Sequence, residues 1–207
     1  MHPESTMAPL NGLVLAGGKS VRMGQDKASL PWHGKPQHHY MADLLGNFCQ
    51  DVFISVRAEP EADPSLPYRY LADRFPGKAQ YGAILTALQF NPAAAWLVVA
   101  CDLPLLDRET LDYLVRHRNP LALATSLESP ADRLPEPLVC IWEPRSREVL
   151  LERMAQGFTC PRKVLLNSQP VHIIQAPDGE ALLNVNTPRE AELATGILIK
   201  RQSATHG

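Results

Sequence analysis

"LVLAGGKSVRMGQDKA", Leu13 to Ala28, opens as an apolar run and then loses regular patterning. Two adjacent glycines follow the run, then Ser20, Arg22, a third glycine and Lys27. Leu10–Leu15 reads as a short buried strand, so the loop leaves its carboxyl end. Gly17 and Gly18 leave no side chain between backbone N–H groups and an incoming anion. Arg22 offers a planar fork of donors to phosphate oxygens, and Lys27 a mobile point charge. Three readings compete: a phosphate cradle, a plain surface turn with solvated cations, and a nucleotide-binding fold that has lost its chemistry. The spacing matches neither the dinucleotide fingerprint nor the P-loop.

Outward from this loop, strand and helix patterns alternate along the chain. Tyr40, Leu44, Leu45 and Phe48 recur at helical steps within Pro36–Cys49. Asp51–Val56 and Tyr68–Ala72 are strand-like, and Ala79–Phe90 sets Ala83, Ile84, Ala87 and Leu88 on one helical face. Trp96–Cys101 is a continuous apolar run, as a strand covered on both faces requires. Asp107 is placed to cap a helix that turns Leu111, Leu114 and Val115 inward. Leu121–Ser126, Pro137–Trp142 and Val171–Ala176 read as strands, and Arg147–Ala155 as a helix. In "NTPRE" (186–190), Thr187 is an N-cap, Pro188 the first helical residue and Glu190 the partner of a capping box. This order predicts one three-layer α/β/α domain over 10–200 with a mostly parallel, Rossmann-like sheet. Residues 1–9 and 201–207 read as flexible tails. In such sheets ligands lie beyond the carboxyl ends of the strands, where the strand order switches.

Composition narrows the partners. At a net charge of −2 the chain carries no basic field for nucleic acid or an anionic membrane. No apolar run approaches the ~20 residues that span a bilayer. The N-terminal stretch "MHPESTMAPLN" shows no secretory leader pattern. The four cysteines lack metal or redox spacing, and the expectation is a reducing cytoplasmic compartment. His38 and His39 read as surface or rim residues. Trp32, Trp96 and Trp142 read as packing. No Ser-His-Asp or Cys-His constellation is evident.

Read whole, the loop resembles the signature of the molybdenum cofactor guanylyltransferases, within the nucleotidyltransferase superfamily that includes sugar-phosphate and cytidylyl enzymes. The pattern LAGG-x-S-x-RMG-x-DK is met at Leu15–Gly18, Ser20, Arg22–Gly24, Asp26 and Lys27. The resemblance implies the nucleotide-diphospho-sugar transferase type of fold. Leu15, Ala16, Gly17 and Gly18 would lie against base and ribose, with Ser20 also at the nucleotide, and Arg22 and Lys27 would hold the triphosphate. Asp102, in "WLVVACDLPLLD" (96–107), matches the acid that binds magnesium in that family. Asp73 matches an acid that contacts the nucleotide, and Ser55 stands near a family asparagine with that task. Asn184 and Asn186 of "NVNTP" match a late motif suited to the pterin acceptor. Arg162 and Lys163 of "CPRKVL" are candidates for the acceptor phosphate or for a solvated helix start. One departure is clear: Ala79 and Gln80 stand where the family carries a Gly-Pro pair.

The activity so implied is transfer of GMP from GTP to molybdopterin with release of pyrophosphate. Mg2+ would be the cofactor, and contact with cofactor-biosynthesis proteins or molybdoenzymes transient. A cytidylyltransferase of the same cofactor, a sugar-phosphate nucleotidyltransferase and an inactive nucleotide-binding module stay open as alternatives.

Overall fold

The computed structural model describes residues 7–16, 30–57 and 67–205. Strand β1 (Leu10–Leu15) is buried along its whole length. Helix α1 (Gln37–Leu45) follows, then β2 (Val52–Val56), β3 (Arg69–Ala72) and α2 (Ala79–Phe90). Next come β4 (Ala95–Ala100), α3 (Arg108–Arg116), β5 (Ala124–Glu128) and β6 (Pro135–Trp142). Helices α4 (Ser146–Ala155) and α5 (Pro161–Leu166), strand β7 (Val171–Gln175) and helix α6 (Pro188–Thr205) complete the order.

The seven strands form one sheet in the order β3-β2-β1-β4-β6-β5-β7. The ladders from β3 through β4 are parallel, and β5 pairs in parallel with β7. Strand β6 alone is reversed, antiparallel to both β4 and β5. Alternate side chains of each central strand feed two cores. On one face, Val14, Ile54, Leu97 and Val99 pack with Met41 and Leu45 of α1 and with Leu111 and Leu114 of α3. On the other, Leu13, Phe53, Trp96 and Val98 meet Ile84 and Leu88 of α2, Leu150 of α4 and Val164 of α5. Burying each large aliphatic chain contributes about 1.5–3 kcal/mol, which is why β1 and β4 carry almost nothing polar.

Three local readings change. Residues Tyr81 to Leu88 of α2 are buried all round rather than on one face. Helix α4 covers the outer side of α2, and the Tyr81 hydroxyl donates to the Leu150 carbonyl at 2.5 Å. Helix α1 stops at Leu45, short of Phe48 and Cys49, and Gly46 caps it through the Ala42 carbonyl. The expected tail from Arg201 is instead the end of α6. Arg201 donates to the Leu105 carbonyl at 3.2 Å and pairs with Asp178 at 2.6 Å, anchoring this turn to two distant loops.

Both expected caps form. Asp107 accepts from the Thr110 N–H at 2.9 Å. Glu190 accepts from the N–H groups of Asn186 (2.6 Å) and Thr187 (2.9 Å), while the Thr187 hydroxyl accepts from the Glu190 N–H at 3.3 Å. Replacing Glu190 by Ala is expected to cost about 1–2 kcal/mol. For a domain of this size that is roughly 2–8 °C in Tm. An unshifted thermal melt would show that the box carries no stability.

Candidate functional site

Parallel register aligns the strand ends. Leu15 lies between Ser55 on β2 and Ala100 on β4, and Ser55 is flanked in turn by Leu71 on β3. Ala16, Arg57, Asp73 and Asp102, the residues that continue these strands, therefore share one edge of the sheet. The strand order turns back between β1 and β4, so this edge is also the switch point.

On the β1–β3 side a cavity of about 360 Å3 opens. It is lined by Leu15, Ser55, Arg57, Asp73, Ala79 and Gln80, among others. This is the small end of ligand-site volumes. Asp73 is held rigidly in its wall: Oδ1 accepts from the Phe75 N–H at 2.8 Å and from the Thr86 hydroxyl at 3.3 Å. Gly82 makes that placement feasible. A Cβ there would stand 2.8 Å from the Phe75 carbonyl oxygen and 2.9 Å from Asp73 Oδ1. The turn into α2 is unusual as well, with Gly77 at φ +82° and Ala79 at φ +47°. The left-handed conformation costs an alanine about 1–2 kcal/mol. That strained residue stands at the departure from the family pattern and faces the cavity.

Asp102 begins the second half of the site. It stands two residues past the end of β4, and its Oδ1 is shielded from solvent. Its backbone carbonyl accepts from the Val185 N–H at 2.8 Å, which brings Asn184 and Asn186 beside the acid. Because β6 is reversed, its first residues also reach this edge. Glu136, only 6% exposed, lies there. Burial pushes the Glu136 pKa up, hydrogen bonding from the Leu138 N–H and the charge of Arg162 oppose this, and the Asp102 charge adds to the rise. Asp102 and Glu136 thus bring hard carboxylate oxygens to this edge, with the Asn184–Asn186 stretch tied to the Asp102 backbone. Such oxygens suit magnesium, which takes one or two protein carboxylates and fills its octahedron with water and phosphate. They do not suit zinc, and the described residues hold no cluster of three or more His, Cys, Asp or Glu.

The expected residues thus fall into two groups on one edge. Leu15, Ser55 and Asp73 meet in the cavity, and Asp102 lies on the same edge with the Asn184–Asn186 stretch tied to its backbone. Gly17, Gly18, Ser20, Arg22 and Lys27 lie outside the described residues. Arg162 is corrected: its guanidinium pairs with Asp132 (2.7 Å) and Glu136 (2.8 Å) and is committed to these two carboxylates rather than open to an anion. Sequence reasoning missed Arg57, which lines the cavity from the end of β2 and makes no ion pair with any described residue. A cation directly after a strand that ends on the ligand edge was the available signal.

His38 and His39 are half-buried on α1. Their rings touch edge-on at 4.1 Å, and His39 stacks on Tyr68 at 4.0 Å. Trp96 and Trp142 are core residues. None of the four cysteines forms a disulfide, and Cys101 packs in the core beside Asp102. No helix among the described residues is long and apolar enough to cross a membrane.

Comparison with known proteins gives a consistent picture. The family model for the MobA-like NTP transferase domain matches residues 12–171. A molybdenum cofactor biosynthesis bifunctional protein of Synechocystis sp. is 33% identical over 90% of this chain, which spans 54% of that relative, about half its length. A molybdenum cofactor guanylyltransferase of Pseudomonas fluorescens is 29% identical, covering 95% of this chain and 99% of its own. Among solved structures, molybdopterin-guanine dinucleotide biosynthesis protein A of Archaeoglobus fulgidus shares the fold. Its TM-score is 0.75 over 92% of this chain and 99% of that one, at 19% identity.

Proposed function

Because this chain belongs to the MobA-like NTP transferase family, we propose that it transfers GMP from GTP to molybdopterin, releasing pyrophosphate. The observation that carries this reading is the bond from Val185 to the Asp102 carbonyl. It ties the stretch bearing Asn184 and Asn186 to the backbone of Asp102, on the same sheet edge as a cavity of base-and-sugar size, and so supports this reading.

In this reading the base and ribose occupy the cavity, against Leu15–Gly18, Ser55 and Asp73. Arg22, Lys27 and Ser20 hold the triphosphate, and Asn184 and Asn186 orient the pterin. Asp102 holds magnesium, which when bound supplies charge neutralisation on the phosphates. The acceptor is a phosphate and already an anion, so its oxygen attacks the α-phosphorus without a strong general base. A P–O bond forms as the α–β bridging bond breaks, and pyrophosphate leaves with that electron pair. The protein contributes alignment and fixed charge. The proposal includes a cytoplasmic setting and transient contact with cofactor-biosynthesis proteins or molybdoenzymes.

The choice of base gives the test. Backbone N–H and C=O groups of the LAGG stretch can meet the O6 acceptor and N1/N2 donors of guanine. Cytosine would leave buried polar groups unpaired, at ~1–3 kcal/mol each. Protein incubated with magnesium, molybdopterin and each nucleoside triphosphate is expected to prefer GTP over CTP by at least roughly tenfold in kcat/KM. Ser55, standing near a family asparagine, erodes that margin. Equal or better pyrophosphate release with CTP would move the chain to the cytidylyl branch. Nucleotide binding with no release for any base would make it a binding module.

A further inference from the structure

We propose that His33 is a positioning residue for Asp102, acting through the backbone of the loop that carries the acid. The proposal rests on the reading of Asp102 as the magnesium carboxylate.

The segment from Leu30 to Pro36 connects the glycine-rich loop to α1. Two of its side chains, Trp32 and His33, meet the loop that follows Asp102. His33 Nε2 lies 2.9 Å from the Pro104 carbonyl oxygen. A carbonyl can only accept, so Nε2 carries the proton and donates. The ring is fixed from a second side, stacked on Tyr40 of α1 with centroids 3.6 Å apart and planes 11° from parallel. Burial lowers its pKa, and the bond to Pro104 acts in the opposite sense. Neighbouring Trp32 packs against the cluster of Leu105, Val185 and Ala194.

These contacts make a closed circuit. The segment leaving the glycine-rich loop grips Pro104 and Leu105, two and three residues past Asp102. Val185 grips Asp102 itself through its carbonyl. Leu103, Leu105 and Leu106 are buried and hold the loop down. Apolar contact is non-directional and does not set where the carboxylate stands along the edge. The two hydrogen bonds do. His33 therefore ties the segment ahead of α1 to the backbone two residues past Asp102. Misplacement of a catalytic group by ~1 Å can cost ~100-fold in rate, so this tie matters for turnover more than for folding.

The test pairs His33→Phe, which keeps a ring on Tyr40 and loses the donor, with His33→Gln, whose amide nitrogen sits where Nε2 was. Mn2+ affinity, read by electron paramagnetic resonance with GTP present, reports on Asp102 independently of turnover. His33→Phe is expected to weaken Mn2+ binding and lower kcat by roughly tenfold or more each, as for the loss of a group that orients a metal ligand. GTP affinity without metal and the melting temperature should stay near wild type, and His33→Gln should recover most of the loss. Unchanged Mn2+ affinity in His33→Phe, or a loss that glutamine does not rescue, would overturn the proposal. Asp102→Asn is the control on its premise. If that variant binds Mn2+ as wild type does, the metal reading fails, and this inference with it. If it loses Mn2+ while His33→Phe does not, only the role of His33 fails.

Discussion

Asp102→Asn is expected to lower turnover at least about a thousandfold while leaving the fold intact. The amide matches the carboxylate in shape, and the bond that ties this residue to Val185 uses its backbone carbonyl, which the change does not touch. The negative charge is lost, and with it the ability to hold a hard divalent cation against phosphate. Steady-state kinetics across a magnesium titration, with a thermal melt alongside, check both halves. Near-normal turnover with unchanged magnesium dependence would remove Asp102 from the mechanism.

Gly82→Ala should damage the other half of the site. On helix propensity alone, alanine would be favoured here by about 1 kcal/mol. Sterics reverse that. The new methyl would stand 2.8 Å from the Phe75 carbonyl oxygen, a backbone atom, and within 3.0 Å of both Asp73 carboxylate oxygens. Asp73 cannot swing aside without giving up the Phe75 N–H and the Thr86 hydroxyl. Either the turn between β3 and α2 moves or the carboxylate leaves its place, and each deforms the cavity wall. A stability loss of about 1–3 kcal/mol is expected. GTP affinity should fall roughly tenfold, the scale of one misplaced polar contact. A calorimetric titration showing wild-type affinity in a variant of equal or greater stability would refute this account of the wall.

Much of this molecule was legible in its sequence. The apolar runs of β1 and β4 are what a central parallel strand needs, and the acid after β4 was readable from its place at the end of such a run. The box of Thr187 and Glu190 was readable because its chemistry is local. What escaped depends on contacts between distant residues. Nothing in the pattern of Pro135–Trp142 says which way that strand runs, since alternation and apolarity look the same in either direction. The polar stretch 201–207 reads as a tail, yet Arg201 finds Leu105 and Asp178, 96 and 23 residues away. Arg162 reads as an anion binder or a solvated helix start until Asp132 and Glu136 are folded against it. Within the site, Asp73 and Ser55 could be named in advance, whereas the pressure of Gly82 on Asp73 and the grip of His33 on Pro104 could not.

The reversed strand β6 also bears on how such a protein can diversify. The connections that follow β1, β3 and β4 at the ligand edge lead into helices, so lengthening one of them shifts a packed element. The chain after β5 turns straight back into the sheet, closed by the Ser129 N–H on the Leu134 carbonyl at 2.8 Å, with Arg133 at φ +63°. Both flanking strands are locked in ladders, and doubling the length of such a hairpin costs only about 0.6 kcal/mol in closure entropy. This turn, tethered to α5 by the pair Asp132–Arg162, borders the acidic half of the edge and not the cavity half. Descendants of this chain can therefore recompose the rim beside Asp102 by insertion or deletion there while the nucleobase side is inherited unaltered, so that one specificity drifts and the other is conserved.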